Sequence, residues 1–501
     1  MIFKKAIIFL LITAMLCLSF IGCDKTEPDD TDDDGGDDFS GSISGGGDSD
    51  DGDEEEPPAD EGDPESTYYI NDAEELQQIK RYGTYILNAD IDLTGVDWKP
   101  IGTYDAPFNG IFDGAGHTIT GLKVTACEED VGISVSFKYS YCGFFGVTED
   151  AEIKNINFEN SEVNVSSNAV NRTVYAGILA GYIKNTKVSD CTVNGSVSAE
   201  SVNYIASCGG ISGLSDGSEL TNCISAASVT TKNSQVRAFS GGLIGASRMS
   251  TSIITSSASG KVSASTTIGV AYSGGLIGYC STTSLELCYS VSEVFSEVSS
   301  ASPQTGSRGG AYSGGLAATV SSADDETPST FTRCYSDNIS VTANGGESSA
   351  YTGGLAADAG NVKFTDCYSR SPLISSTVSE VVYSGGLCAL ISQSSVIKGC
   401  FFTGSITAAA PNTSDANIGT IVGVAPDTED GLNDVIISCA YRTNTVFKIN
   451  DTTYSHTDEA ITALGTARAS NIFTTLSLLC EVLGWDQSEW RMENGIPKPI
   501  I

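Results

Sequence analysis

The sequence predicts an all-β fold: a right-handed parallel β-helix, a solenoid with short helical caps at both ends and a disordered acidic linker ahead of it. Three observations carry that expectation. A Gly-Leu motif returns along much of the 501-residue chain, a second column of small residues keeps step with it, and the runs between them alternate apolar and polar over stretches too short for helices. Composition agrees, with 54 Gly, 4 Met and 8% aromatic residues, a mixture that favours strands and turns.

Residues 1–22 read as a lipoprotein signal peptide. Lys4 and Lys5 make a basic start, an apolar run extends from Ala6 to Ile21, and Gly22 precedes Cys23. The run is slightly short for a stable membrane span and meets Asp24 at once, which favours cleavage over a permanent anchor helix. Ser19-Phe20-Ile21-Gly22-Cys23 resembles the lipobox of bacterial lipoproteins, in which the cysteine becomes the lipidated first residue, with Phe20 where Leu is usual. Cys23 is therefore the expected lipidation site. The chain is expected to be exported and anchored through that lipid to a bacterial membrane, at the cell surface.

Residues 23–66 form the linker. From Asp24 to Ser66, twenty Asp and Glu face the single Lys25, with almost no large apolar residue, so this piece cannot bury enough surface to fold alone. It supplies about half of the net charge of −37 and reads as a self-repelling stalk that lifts the folded part off an anionic membrane. Acidic residues directly after the lipidated Cys mark some bacterial lipoproteins for the outer surface, and this run resembles such a signal. So acidic a chain is a poor partner for nucleic acid.

Residues 67–140 are expected to hold an N-terminal cap and the first coils. Asn71 to Ile79 carries an N-cap residue, early acids and helical apolar spacing, which predicts a short helix over the first coil.

Residues 141–445 hold the repeat. Clear copies are Tyr272-Ser273-Gly274-Gly275-Leu276-Ile277-Gly278, Ser240-Gly241-Gly242-Leu243-Ile244-Gly245 and Tyr351-Thr352-Gly353-Gly354-Leu355, with degenerate copies at Phe144, Leu179, Ile211, Leu316, Leu387 and Ile421. These nine units are spaced by 32 to 40 residues, as in solenoid arrays. The second column runs Ile156, Cys191, Cys223, Ser256, Cys288, Cys334, Cys367, Cys400 and Cys439, in most units 12 or 13 residues after the Leu position. A constant phase means that a fixed length of backbone separates two inward positions, while insertions such as that around Ser321 to Thr330 leave as loops. Each unit supplies about three strands, each burying its apolar face by stacking on its copy in the next coil, about 4.8 Å away. The paired glycines are expected at corners, where they supply backbone angles closed to other residues and allow a tight turn beside Leu.

Many cysteines in an exported chain ordinarily suggest a disulfide framework. Here one Cys per coil at an equivalent position predicts an interior stack of small apolar thiols. One or more bridges, at Cys208 or Cys388 with a neighbour, are the alternative.

Residues 446–501 are expected to form the C-terminal cap, because an exposed last coil is a sticky edge. Ile472 to Leu483 predicts a helix leading to Trp485 and Trp490, which read as lid anchors rather than sugar platforms.

The Gly-Leu-Ile-Gly and Gly-Leu-Ala-like units resemble GLUG-motif repeats, found in bacterial surface proteins and in non-catalytic regions of some large IgA-cleaving proteases. The resemblance covers roughly residues 67 to 501. The lead-in, Phe108-Asn109-Gly110-Ile111-Phe112-Asp113-Gly114-Ala115-Gly116-His117, looks like the opening coils of adhesin-like β-helices. The resemblance implies display at the cell surface and supplies no ligand. Several copies lose the last Gly, as in Leu316-Ala317-Ala318.

A zinc protease needs a His-Glu-x-x-His pair or similar ligands, and His117 and His456 are the chain's two histidines, neither in such a spacing. His117 lies in a Gly-rich turn, a poor place for the base of a serine or cysteine hydrolase. A polysaccharide lyase or hydrolase is the enzymatic alternative, but Asp90, Asp92, Asp113 and Asp190 do not recur with a basic residue at matched coil positions. The expected function is non-catalytic adhesion or binding of an extracellular glycan or protein, by a monomer without cofactor or metal; a passive spacer is the third reading. Tyr272, Tyr312, Tyr351 and Tyr383 are candidate ligand contacts, their other reading being packing on the Gly-Gly turn.

Overall fold

The computed structural model describes residues 61–126, 138–169, 171–233, 235–300, 309–322, 327–392, 394–425 and 435–500. The expected signal peptide, Cys23 and all but the end of the acidic linker lie outside these residues. Glu61 to Ile501 forms one compact unit.

A single coil contains the logic of the fold. Val270–Gly274 runs into Gly275 and Leu276, then come Ile277–Ser281, Thr283–Glu286, Tyr289–Ser290 and Glu293–Val298, after which the chain returns to Gly310–Gly314 on top of the starting strand. The register holds residue for residue: Tyr272 pairs with Tyr312, Leu285 with Phe331 and Val294 with Val341. Repetition builds four sheets. The first contains ten strands from Lys138–Cys142 to Ile461–Thr462, the second nine from Phe145–Glu149 to Val422–Val424, and the third twelve from Thr67–Ile70 to Ile436–Ile437. The fourth stacks the strand pairs exemplified by Tyr289–Ser290 and Glu293–Val298. Among the described residues every strand pairing is parallel except two hairpins, Phe447–Ile449 with Thr452–Tyr454 and Trp490–Glu493 with Ile496–Pro499. The fold is a parallel β-helix.

The interior is made of columns. Leu179, Ile211, Leu243, Leu276, Leu316, Leu355 and Leu387 are fully buried, as are Cys191, Cys223, Cys288, Cys334, Cys367 and Cys400, with Cys439 at 3% exposure. The third sheet adds Ile253, Leu285, Phe331, Phe364 and Ile397, and the fourth Val229, Val262, Val294 and Val341. Each such side chain contributes about 1.5–3 kcal/mol of burial, and none could do so in an isolated coil. Cys208 and Cys388, the alternative candidates for a bridge, are free thiols. Cys142 is in a disulfide whose partner lies outside the described residues.

The corners differ from expectation. The Gly-Gly pairs are not left-handed; their φ values are negative or extended, and what they supply is proximity. A Cβ on Gly275 would stand 2.1 Å from the Gly315 carbonyl oxygen and 2.3 Å from Ser290 Oγ. Left-handed residues instead flank the third sheet. Asn155, Asp190, Asn222, Thr255, Leu287, Arg333, Asp366 and Ser438 all have φ between 47° and 58° at the corner just before the inward Cys column. Asn and Asp tolerate that region because their short side chains bond locally.

Both expected terminal helices form. At the start, Ala73–Leu76 is capped by Asp72, whose carboxylate accepts from the Glu74 and Glu75 amides at 3.0 and 2.9 Å, and Leu76 is fully buried. At the other end, Leu476–Leu483 stops at Gly484, which takes φ 79°. This helix is not a lid over the last coil. It belongs to a strap, residues 472–500, lying along the flank of coils that are far back in sequence. Among the described residues no helix is long and apolar enough to cross a membrane.

Candidate functional site

The four tyrosines picked from the sequence form one ladder. Each lies two residues before the first Gly of a Gly-Gly corner, so in-register stacking superposes the rings. Tyr272 to Tyr312, Tyr312 to Tyr351 and Tyr351 to Tyr383 are 5.1, 4.2 and 4.8 Å apart between centroids, with interplanar angles of 26°, 6° and 2°. Phe239 extends the stack at 5.1 Å from Tyr272. Such pairs add about 0.5–1.5 kcal/mol each beyond burial.

This geometry corrects the reading of the tyrosines as ligand contacts. A ring that receives a sugar or peptide needs a free face, and these faces are taken by one another. Tyr272, Tyr312 and Tyr351 are under a tenth exposed, and only Tyr383 is half-buried. The second sheet closes over them: Phe239 meets Tyr279 at 5.7 Å, and a Cβ on Gly245 would stand 2.8 Å from the Cys208 amide nitrogen. Burial pushes the Tyr272, Tyr312 and Tyr351 hydroxyls above their ordinary range.

Charges in this seam escaped the sequence reading. Asp216, almost fully buried, receives two bonds from Arg248, at 2.8 Å from Nε and 2.6 Å from Nη2, and a third at 2.9 Å from the Tyr182 hydroxyl. Asp358 sits four coils further along the second sheet, and desolvation pushes its carboxyl up to about 6. Only the register between coils brings Tyr182, Asp216 and Arg248 together; their spacings in the sequence contain no motif.

A second ladder runs Tyr289, Tyr335, Tyr368 and Phe401, spaced by 4.9, 4.9 and 4.7 Å and parallel within 4°. The strap covers it. Trp485 and Trp490 stack on each other at 4.0 Å and reach Phe401 and Tyr368 at 5.7 and 6.4 Å. Trp485 Nε1 donates to the Gly399 carbonyl at 2.7 Å, the Tyr368 hydroxyl donates to the Pro497 carbonyl at 2.6 Å, and Lys498 Nζ donates to the Tyr335 hydroxyl at 2.6 Å. The tryptophans are anchors, as expected, but of a flank strap.

The acidic residues weighed for catalysis hold turns. Asp92 accepts from the Thr94 amide at 2.8 Å, and Asp113 accepts from the Ala115 amide at 2.8 Å and from Asn155 Nδ2 at 3.1 Å. Asp190 accepts from Asn222 Nδ2 at 2.6 Å. Asp90 accepts from the Thr118 amide at 2.9 Å and lies 3.1 Å from His117 Nδ1, and these bonds hold its carboxyl below its ordinary range. Among the described residues no group of three or more His, Cys, Asp and Glu is placed to hold a metal.

The outward side of the fourth sheet is a regular polar lattice. One column reads Ser198, Thr230, Ser263, Phe295, Thr342, Ile374 and Thr407, and the next Glu200, Lys232, Ser265, Glu297, Asn344 and Ser376. All are partly or fully exposed, while their inward neighbours are buried.

No protein-family model matches the chain, and no curated protein matches it. Among solved structures it is similar to a candidate immunoglobulin A1 protease from Bacteroides ovatus, with 17% identity and a TM-score of 0.32 over 86% of this chain and 92% of that one. It is also similar to an IgA1 protease, with 12% identity and a TM-score of 0.34 over 86% of this chain and 24% of that one.

Proposed function

We propose that the chain is a lipid-anchored cell-surface protein that works by adhesion or ligand binding, with an extracellular glycan or protein as partner, and that it is not an enzyme. The observation that carries this reading is the polar face of the fourth sheet. It offers hydroxyl, amide and charged groups at one repeating interval on a rigid frame, so a partner with its own repeat meets many weak contacts already in place, without the ordering entropy that a flexible surface adds. Its ion pairs, such as Lys261 with Glu293 at 3.5 Å and about half exposed, contribute little to stability and leave the charges accessible. The membrane end of the proposal rests on Cys23 and the acidic stalk behind it.

Two measurements test it. Purified full-length chain is applied to a glycan array and to immobilised host-matrix proteins. Saturable binding is expected; cleavage of a polysaccharide would make the chain a lyase or hydrolase, and silence on every surface would make it a spacer. Separately, labelled palmitate should enter the wild-type chain and not Cys23→Ser, which should leave the membrane fraction. Equal labelling of both would refute the anchor.

A further inference from the structure

A groove of about 410 Å³ opens on the outward side of the third sheet near its start, away from the polar face of the fourth sheet. Its one wall is a single register column over four coils: Thr84 pairs with Ile111, Ile111 with Glu152, and Glu152 with Lys187. Its other wall is the corner preceding that sheet, with Asn109, Asp150 and Asn185, the last two left-handed at φ 52° and 47°. Gly83, Gly110 and Ala151 line the channel between them with no side chain beyond a methyl. Asp150, Asn185 and Lys187 are exposed, and Glu152 is half-buried with Lys154 Nζ at 2.5 Å.

We propose that this groove is a binding site for a neutral polysaccharide chain lying along the solenoid axis. The site is separate from the polar face and goes beyond the surface-binding reading. Three features select the ligand class. The lining mixes acceptors (Asp150, Glu152), a donor (Lys187), amides that do both (Asn109, Asn185) and a hydroxyl (Thr84), which complements sugar hydroxyls that both donate and accept. Ile111 and Pro64 supply a small apolar surface for a sugar C–H face, too little for a lipid. An anionic glycan would meet two lining carboxylates, Asp150 and Glu152, against the lining cation Lys187, a net repulsion.

Spacing separates a sugar chain from an extended peptide. Side-chain positions along the groove wall recur once per coil, about 4.8 Å, with a different residue at each, whereas a peptide strand advances about 3.3 Å per residue and falls out of step at once. A pyranose unit in an extended chain is close to one coil rise, so successive sugars meet equivalent positions on successive coils.

Calorimetric titration of the full chain tests the site, with hexasaccharides of β-1,4-glucan, β-1,3-glucan and α-1,6-mannan, and hexagalacturonate as the anionic comparison. At least one neutral hexasaccharide should bind saturably and more tightly than hexagalacturonate. Asn185→Gly, which keeps the left-handed backbone accessible, with Glu152→Gln should weaken it about tenfold or more at a melting temperature close to that of the wild type, and Lys187→Ala serves as a second, independent variant. Lys363→Ala, exposed on the third sheet and outside both the groove and the fourth-sheet face, should leave the affinity unaltered. The site is overturned if no neutral hexasaccharide binds at millimolar concentration, if hexagalacturonate binds best, or if the groove variants bind like the wild type. Saturable array or matrix binding by a chain that binds no neutral hexasaccharide would overturn the groove alone, whereas a full chain that binds no surface at all would overturn the surface-binding reading itself.

Discussion

Cys191, Cys223, Cys288, Cys367, Cys400 and Cys439 each meet two carbonyls, one from their own coil and one from the coil before. Cys288 Sγ donates to the Glu286 oxygen at 3.2 Å and the Ile253 oxygen at 3.3 Å, and Cys367 to Thr365 at 3.2 Å and Phe331 at 3.3 Å. Ser256 fills the same column and makes the same local bond, to Ile254 at 2.9 Å, which is why a hydroxyl interrupts the thiols without breaking the stack. Asp358 gives the residue scale its sharpest test. The fold holds its carboxyl neutral up to about pH 6, while an unfolded chain ionises it near pH 4. The folded state therefore binds more protons between those values, and stability falls as pH rises through that window by roughly 2–3 kcal/mol, a loss that persists above it. Asp358→Asn should raise the melting temperature at pH 8 and leave it unchanged at pH 3.5; equal shifts at both would contradict the assignment. The Cys column was legible because one residue type recurs at one phase. The left-handed corners were not, since Leu287 and Arg333 occupy the same φ as Asn155 and Asn222 and only stacking in register puts them there.

At the scale of elements, the Gly-Gly corner and the strap carry the testable content. The corner was readable as a place, and its physics was not: the glycines are required by the approach of the next coil's carbonyl, not by a left-handed angle. Gly275→Ala should therefore cost several kcal/mol through overpacking against backbone that cannot move aside, seen as a lower urea midpoint. Gly116→Ala, at a φ of 84° with open space where a Cβ would go, should cost only its backbone strain, about 1–2 kcal/mol. The helix at Leu476–Leu483 was also foreseen, yet its position was not, because nothing in its own apolar spacing names the surface it covers. That surface is the Tyr289 to Phe401 ladder, itself assembled only once the coils stack. Replacing Trp485 and Trp490 by Ala should release the strap at a cost of about 3–5 kcal/mol for each well-packed ring. Amide exchange should rise across residues 476–500 while the amides of the coil interior, such as those of Ile253 and Leu285, stay protected. Uniform loss of protection would show instead that strap and coils unfold as one.

For the whole molecule, the claim on which the rest depends is that successive units lie directly on one another, so that stability and surface are both sums over neighbouring coils. The sequence periodicity made that stacking readable over most of the chain, because the phase survives insertions such as the one after Ser321: Leu285 still pairs with Phe331 beyond it. It did not reveal which outward column would be covered and which left open. The tyrosine ladder closed against the second sheet and the polar columns of the fourth stayed exposed, a choice made by how the sheets fold on each other across a coil. The most direct test is a set of spin-label pairs along one outward column, with Ser198 as the fixed partner and Ile374 or Thr407 as the second, five and six coils away. Stacking predicts narrow distance distributions that grow by about 4.8 Å per coil, near 24 and 29 Å. Broad distributions, or distances that do not scale with the number of coils between the labels, would contradict it.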